Sequence, residues 1–567
     1  MKTLIKILAV TVLLLAGFQA RLAAEGTWVA LGNLAPGSVG TPILLTDGTV
    51  LVQGGGSTTT WYRLFPDNNG HYVNGNWGNA ASMNYARQYY ASVVLQDGRV
   101  FVAGAEYGNG TTNAEIFDPV ANNWTIVPVP AGIINTVNTV NAKGVNSGGF
   151  VDSGGVLLSN GKVLIAPVAP GTNGNTTIYD PYANTWSIAT LVRGNNEDEA
   201  SWVKLPDDSI LTVDFNTQNS ERYIPSQNVW VNDTNLPANL YDVFGFECGG
   251  AILLPNGKAF YIGSTSVTAI YSPSGNNTPG SWIAGPPIPI GLGAPDAPAA
   301  MMNNGKILCA LSPTPFSSSN IFTTPTYFYE YDYTAGLVGS FTQIHAPGGG
   351  FTNNLVTFND RMLTLPDGNI LYATGGNQLY VYQPDQVPLT QGKPAISSIT
   401  YNGNGSLHLT GTLFNGISQG ASYGDDVQND SNYPIVKFTD GSGHVSYGFT
   451  YNWSSTSVQT GSRVVSTECA MPNNVFSGPG AYTIQVIANG ISSDPVGFPG
   501  PIWVDFTAPF PGAGTFVSPY STLALGVSGV AAGGSIFAKG PRVSHETMTI
   551  NKAMTIVAIG GAVTIGQ

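Results

Sequence analysis

Nine residues ahead of seven recurring turn positions, the 567-residue chain carries Val39, Tyr89, Asp152, Glu199, Cys248, Asp296 and Asn359, with Glu247 and Phe358 one residue further out. Glu197 and Asp198 add two carboxylates nearby. Three kinds of chemistry fit such a set. Carboxylates beside the rings of Tyr89, Tyr90 and Phe358 could bind a cation or accept hydrogen bonds from sugar hydroxyls. An acid/base pair such as Glu199 and Asp296 could serve hydrolysis or elimination, at a separation only the fold can set. Cys248 could act as a reactive thiol, although a nearby Glu247 carboxylate would hold its proton on. The ordinary fates stand against all three: Asp and Glu mostly sit solvated on loops, and a lone Cys is usually a small buried residue.

What would position these residues is a repeat. An apolar segment, a turn pair and a second apolar segment recur as ILLTDGTVLVQGG (43 to 55), SVVLQDGRVFVAG (92 to 104), GVLLSNGKVLIAP (155 to 167), WVKLPDDSILTVD (202 to 214), AILLPNGKAFYIG (251 to 263), AMMNNGKILCA (300 to 310) and MLTLPDGNILYATGG (362 to 376). Asp-Gly and Asn-Gly at the centre predict type I′ hairpins. The turns fall at Gly48, Gly98, Gly161, Asp208, Gly257, Gly305 and Gly368, spaced 50, 63, 47, 49, 48 and 63 residues. A second strand pair follows most hairpins, as in AEIFDPVANNWTIV (114 to 127) and TTIYDPYANTWSIA (176 to 189). Four strands every ~50 residues predict the blades of a kelch-type β-propeller. The seventh unit lacks its outer strand, and GTWVALGNLAPG (26 to 37) is an orphan of that type, so Trp28 is expected to close the ring at 25–388. In such a blade, nine residues reach from the turn to the far end of the innermost strand, at the mouth of the central channel.

Beyond Lys393-Pro394 the repeat stops, and strand-like segments at sandwich spacing predict an immunoglobulin-like domain over 394–505. The tail, 512–567, resembles the first coils of a right-handed parallel β-helix, which need ~3 stacked repeats, so it is expected either to dock on its neighbours or to belong to a longer chain. At the other end, 1–24 reads as a secretory signal, with Lys2 and Lys6 ahead of the apolar run Ile7 to Phe18. Export is therefore expected, and no integral membrane segment after signal removal. Low charge (9%) and 71 glycines suit an all-β chain of short strands and turns. The net charge of -13 disfavours nucleic acid as a partner. Cys248, Cys309 and Cys469 form no CxxC or Cys/His cluster, so neither a disulfide framework nor a zinc site is indicated.

The hairpins, the export signal and the trailing domain together resemble the galactose oxidase and glyoxal oxidase group of copper radical oxidases, over residues 27 to 505. That resemblance implies a cysteine cross-linked to a copper-ligating tyrosine, a Tyr-His pair, and a second histidine from the C-terminal domain. FECGGAILLPNG places Cys248 at the cross-linking cysteine. Asp296 stands where the cross-linked tyrosine is implied, Phe358-Asn359 stand where the Tyr-His pair is implied, and QGASYGDDVQNDSNYPIV (419 to 436) contains no histidine. Copper is therefore disfavoured and no cofactor is expected, with calcium the ion a carboxylate set would admit. The expected function is a secreted, non-catalytic module that binds extracellular carbohydrate or a protein partner at the channel mouth. Two enzymatic alternatives stand beside it: an oxidase with a rearranged metal site, and a carbohydrate-active hydrolase.

Overall fold

Local turn chemistry sets the architecture seen in the computed structural model, which describes residues 25–136, 149–151, 153–167, 175–190, 201–214, 217–289, 291–423, 427–509 and 511–566. The expected signal segment 1–24, and Glu197, Asp198, Glu199 and Asp152, lie outside the described residues.

All seven hairpins form, but not with type I′ turns. Only the second residue of each turn pair is left-handed, as at Gly48 (φ 75°), Asp208 (φ 68°) and Gly368 (φ 86°). In each hairpin the glycine-position N–H closes a four-residue turn, as Gly48 N does onto Leu45 O at 3.0 Å, and the strands re-pair across it, as Leu45 N does to Thr49 O at 2.8 Å. This is a type I turn followed by a one-residue bulge. The reason is the side chain ahead of it. Asp47, Asp97, Asn160, Asp207, Asn256, Asn304 and Asp367 each accept the N–H two residues on, at 3.0–3.3 Å, and that local bond competes with the mirror-image turn.

The chain is all-β, with a propeller-like arrangement of its blades. Six separate four-stranded antiparallel sheets are present, and a further four strands, from Pro298–Met301 out to Ser340–Ile344, belong to an eight-stranded sheet. Thr27–Ala30 pairs with Tyr380–Gln383, at the outer edge of the sheet that begins at Arg361–Thr364. Outer-strand tryptophans fasten neighbouring sheets together. Trp77 donates its indole N–H to Asn33 O (3.1 Å), Trp124 to Ala81 O (2.9 Å), Trp186 to Pro128 O (3.1 Å), Trp230 to Thr176 Oγ1 (3.0 Å), Trp282 to Ser220 Oγ (3.1 Å) and Trp28 to His345 O (2.7 Å). Each ring buries its apolar body while its one polar atom finds a partner.

The C-terminal strands form an eight-stranded sheet whose hydrogen bonding runs unbroken from Ala395–Tyr401 to Ile491–Ser492. Val445–Tyr451 makes it continuous, pairing through one half with Ile435–Asp440 and through the other with Val465–Ala470. The sheet curls around Leu409, Phe438, Val465, Ile484 and Val486. A parallel ladder then begins at Ile502–Val504, ahead of position 512, and continues through Ser535–Lys539 to Thr555–Ile559. Trp503 and Phe537 of this ladder sit in the core of the curled sheet, which docks the tail.

The curled sheet covers the turn face of the blades. Gln96 Nε2 donates to Trp453 O (2.9 Å), Thr456 Oγ1 to Leu158 O (2.7 Å), Lys204 Nζ to Thr456 O (2.9 Å), Gln459 Nε2 to Leu254 O (2.8 Å) and the Tyr433 hydroxyl to Leu44 O. From this side a hairpin, Gly420–Tyr423 and Val427–Asp430, enters the channel and pairs with the inner strand Pro298–Met301. It touches the innermost strands of most of the other sheets. Small residues make the room: a Cβ on Gly250 would stand 3.0 Å from Ser422 O and 3.4 Å from the Ala299 Cβ.

Candidate functional site

With the turn face covered and the channel filled, the opposite mouth is where a ligand could sit. A cavity of about 230 Å³ opens there, lined by Ser38, Val39, Gly40, Thr41, Gln53, Gly55, Gly56, Gln88, Tyr89, Phe358, Asn359, Arg361 and Gly375. It is smaller than the ~300–1,000 Å³ pockets of drug-sized ligands, so one ring-sized polar unit is its natural occupant.

Three segments build most of the wall. In Arg87-Gln88-Tyr89-Tyr90 the anchors are the outer two. Arg87 is fully buried, donating to Gly104 O (2.6 Å), Gly110 O (2.9 Å) and Asn113 O (2.9 Å) and pairing with the buried Glu115 at 3.1 Å. Tyr90 donates to Gln53 Oε1 (2.8 Å), while Gln53 Nε2 donates to Arg87 O (2.7 Å). Gln53 is thereby a rigid part of the wall, and Gln88 and Tyr89 are left to face the cavity.

The second segment is Thr357–Asn359, a 3₁₀ turn, with the two residues after it. Thr357 Oγ1 donates to Pro295 O (2.6 Å), and Arg361 folds back to donate to Phe358 O (2.7 Å) and Asp360 O (2.8 Å). Asp360 is fully buried, and burial holds its carboxyl well above the usual carboxylate range, with Tyr372 and Arg361 opposing. The third segment, Ser38 to Thr41, is aimed by a register shift between Val39 and Pro42, as bulges commonly do beside sites.

The tip of the channel hairpin completes the arrangement. Tyr423 donates to Phe358 O (3.0 Å) and lies parallel to Tyr89, with ring centroids 6.4 Å apart and planes 1° apart. The Arg361 guanidinium sits 3.7 Å from the Tyr423 centroid and 5.5 Å from that of Tyr89. Tyr89 holds this place in the left-handed region (φ 52°). Such backbone strain in non-glycine residues gathers at functional sites.

The fold thus brings Val39, Tyr89, Phe358 and Asn359 together and does not bring Cys248 or Asp296 to the cavity. Cys248 is fully buried, its Sγ 3.7 Å from Ile262 O, and burial pushes its thiol up to about 12. It is a protonated core residue at neutral pH. Glu247 is buried behind a turn that Asp242 caps. The residues missed from sequence are Gln88, Arg361 and Tyr423. Gln88 and Arg361 flank the residues singled out, and Tyr423 lies in the 419 to 436 segment, so proximity in sequence was the available signal.

The copper that the resemblance implies does not fit this donor set. Among the described residues, no imidazole, thiolate or carboxylate lines the cavity. The paired histidines lie elsewhere: His71 beside Asp367 (3.5 Å), His345 on Glu25, His408 on Glu468 (2.8 Å) and His444 on Asp440 (3.2 Å). Among the described residues, no cluster of three or more His, Cys, Asp or Glu could hold a metal ion, and no helix is long and apolar enough to cross a membrane.

What fold and cavity define is a propeller-like all-β protein with an uncharged-amide and aromatic pocket on its open face. No family model matches the chain, and no curated protein matches it. Among solved structures it is similar to a fungal alcohol oxidase of the AA5 family in complex with copper, at 17% identity over 84% of this chain and 99% of that one, TM-score 0.46. A streptogramin B lyase matches at 10% identity over 64% of this chain and 98% of its own, TM-score 0.39. The virginiamycin B lyase of Staphylococcus aureus matches at 11% over 52% and 94%, TM-score 0.30. Likenesses this remote carry no chemistry to this chain.

Proposed function

We propose that the chain is a secreted, non-catalytic module that binds one unit of an extracellular carbohydrate in the mouth cavity. The observation that carries this reading is the composition of the wall. Tyr89 and Phe358 line the cavity together with the amide residues Gln88 and Asn359, the hydroxyl residues Ser38 and Thr41, and Arg361. A sugar ring offers the complement, with apolar C–H faces and a rim of hydroxyls that both donate and accept. Supporting features are the rigid anchoring of each wall segment and the strained backbone of Tyr89. No described residue lining the cavity supplies the carboxylate pair that hydrolysis requires.

In the same reading, the scaffold is a seven-bladed kelch-type ring closed by Thr27–Ala30, followed by an immunoglobulin-like domain. It is a galactose oxidase-like architecture in which Phe358-Asn359 and the histidine-free channel hairpin have replaced a copper centre. The segment 1–24 directs export.

A glycan array followed by calorimetry tests the proposal. Asn359→Ala and Gln88→Ala each remove one hydrogen-bonding amide, worth about 1 kcal/mol, so each is expected to weaken binding about fivefold. Binding that survives both substitutions unchanged, or an array with no hit, refutes it.

A further inference from the structure

The wall of the cavity does not end at Phe358. Phe322, half-buried on the loop between Ile307–Pro313 and Thr326–Asp332, meets Phe358 edge-on with centroids 4.9 Å apart and planes at 63°. Next to it, Ile321 closes over Gly245, where an added Cβ would stand 2.7 Å from the Ile321 Cγ2. That contact fastens a second loop, 242 to 247, against the first. The second loop is stiff, because the Asp242 carboxylate accepts from Phe244 N (2.7 Å), Gly245 N (2.7 Å) and Glu247 N (3.0 Å). It carries Val243, 75% exposed, and Phe244, 39% exposed, while Phe316 on the first loop is 64% exposed.

Single exposed apolar side chains need no explanation, but aromatic side chains in contact with one another beside a polar pocket mark a binding surface. This wall starts at a cavity too small for more than one ring, and it is made of half-exposed aromatic side chains on braced loops. Such rings offer apolar faces at small cost in side-chain entropy.

We propose that the Phe358–Phe322 wall is a second sugar subsite, so that the ligand is a neutral oligosaccharide of two or more pyranose units, one in the cavity and the next stacked outside it. The inference rests on the carbohydrate reading of the cavity.

The test is calorimetry of the full chain against glucose, cellobiose, cellotriose and cellotetraose, with the matching manno- and xylo-series in parallel. Affinity is expected to rise about tenfold from one to two units in at least one series, the gain a ring contact of about 1.4 kcal/mol supplies. Phe322→Ala should abolish that gain and leave the monosaccharide affinity unchanged, whereas Phe358→Ala should weaken both. Phe322→Leu keeps most of the volume without a ring face and should lose the same gain, which separates stacking from loop collapse. A monosaccharide that binds with no gain on lengthening overturns the second subsite and leaves the cavity reading standing. So does a gain that both Phe322 variants retain. Absence of binding by every saccharide overturns the cavity reading and the subsite together.

Discussion

Replacing Tyr423 separates the two roles assigned to the channel hairpin, which are filling the channel and bracing the site. Tyr423 is 1% exposed, hydrogen-bonds Phe358 O at 3.0 Å, and lies under the Arg361 guanidinium at 3.7 Å. Tyr423→Phe removes only the hydroxyl, and a lost hydrogen bond of this kind costs about 1 kcal/mol. The Phe358 carbonyl keeps the Arg361 donor at 2.7 Å, so the cost belongs at the low end. Tyr423→Ala also removes a buried ring, at about 3–5 kcal/mol for truncations of this size, and a desolvated cation–π contact of about 2 kcal/mol. These overlap, so a total of about 4–5 kcal/mol is expected.

The assay is denaturant unfolding followed by tryptophan fluorescence, alongside ligand titration of each variant. The Ala variant should also lose ligand affinity, because Arg361 and Phe358 lose the ring that fixes them. Two results would refute the reasoning. One is a Tyr423→Ala protein as stable as the parent. The other is a destabilised protein with unchanged ligand affinity, which would confine the hairpin to a packing role.

Three further outcomes follow from the same geometry. Burial raises the Asp430 carboxyl from 3.8 to about 7, with buried Lys204 opposing; the folded state therefore binds the extra proton, and stability should fall as pH rises from about 4 to 7. Asp360, raised by burial as well, adds a slope of the same sign, so Asp430→Asn should reduce the slope without removing it, and an unchanged pH profile would sink the assignment. Cys248, Cys309 and Cys469 are all buried, with thiols that burial holds protonated, so iodoacetamide at pH 8 should label none of them until the protein is denatured; rapid labelling of the native protein contradicts this. Gly98→Ala should cost more than Gly275→Ala, since both sit at positive φ (83° and 76°) but only a Cβ on Gly98 meets the curled sheet, 2.6 Å from Phe449 Cζ. The left-handed strain common to both is about 1–2 kcal/mol, and equal losses in a denaturation series would show that the turn face is not docked as described.

Strands and turns were legible in the sequence because their causes are local. Alternating apolar residues around Asp-Gly and Asn-Gly identify a hairpin whatever surrounds it, and the outer-strand tryptophans mark the edge that reaches the neighbouring sheet. The turn type was misread from the same residues: a dipeptide rule favours type I′, yet the Asx side chain bonds the N–H two residues on, and that bond wins at every repeat. At the mouth, counting back from each turn found Val39, Tyr89 and Asn359, because strand length is a linear measure. It misplaced Cys248 and Asp296, which the cavity lining does not include: Cys248 is fully buried, and Asp296 lies just ahead of the strand, Pro298–Met301, that the channel hairpin pairs with.

Order along the chain, the hairpin units and the absence of imidazoles at the matched positions are properties of the sequence alone, since each depends on residue identity or on neighbours a few positions away. Only the tertiary structure decided that Gly420–Tyr423 and Val427–Asp430 fill the channel, that Tyr423 and Arg361 stack beside Tyr89, and that Phe322 continues the wall from Phe358. Those pairings join residues tens to hundreds of positions apart, and the hairpin enters where small side chains on the inner strands, Gly250 and Ala299 among them, leave room for it.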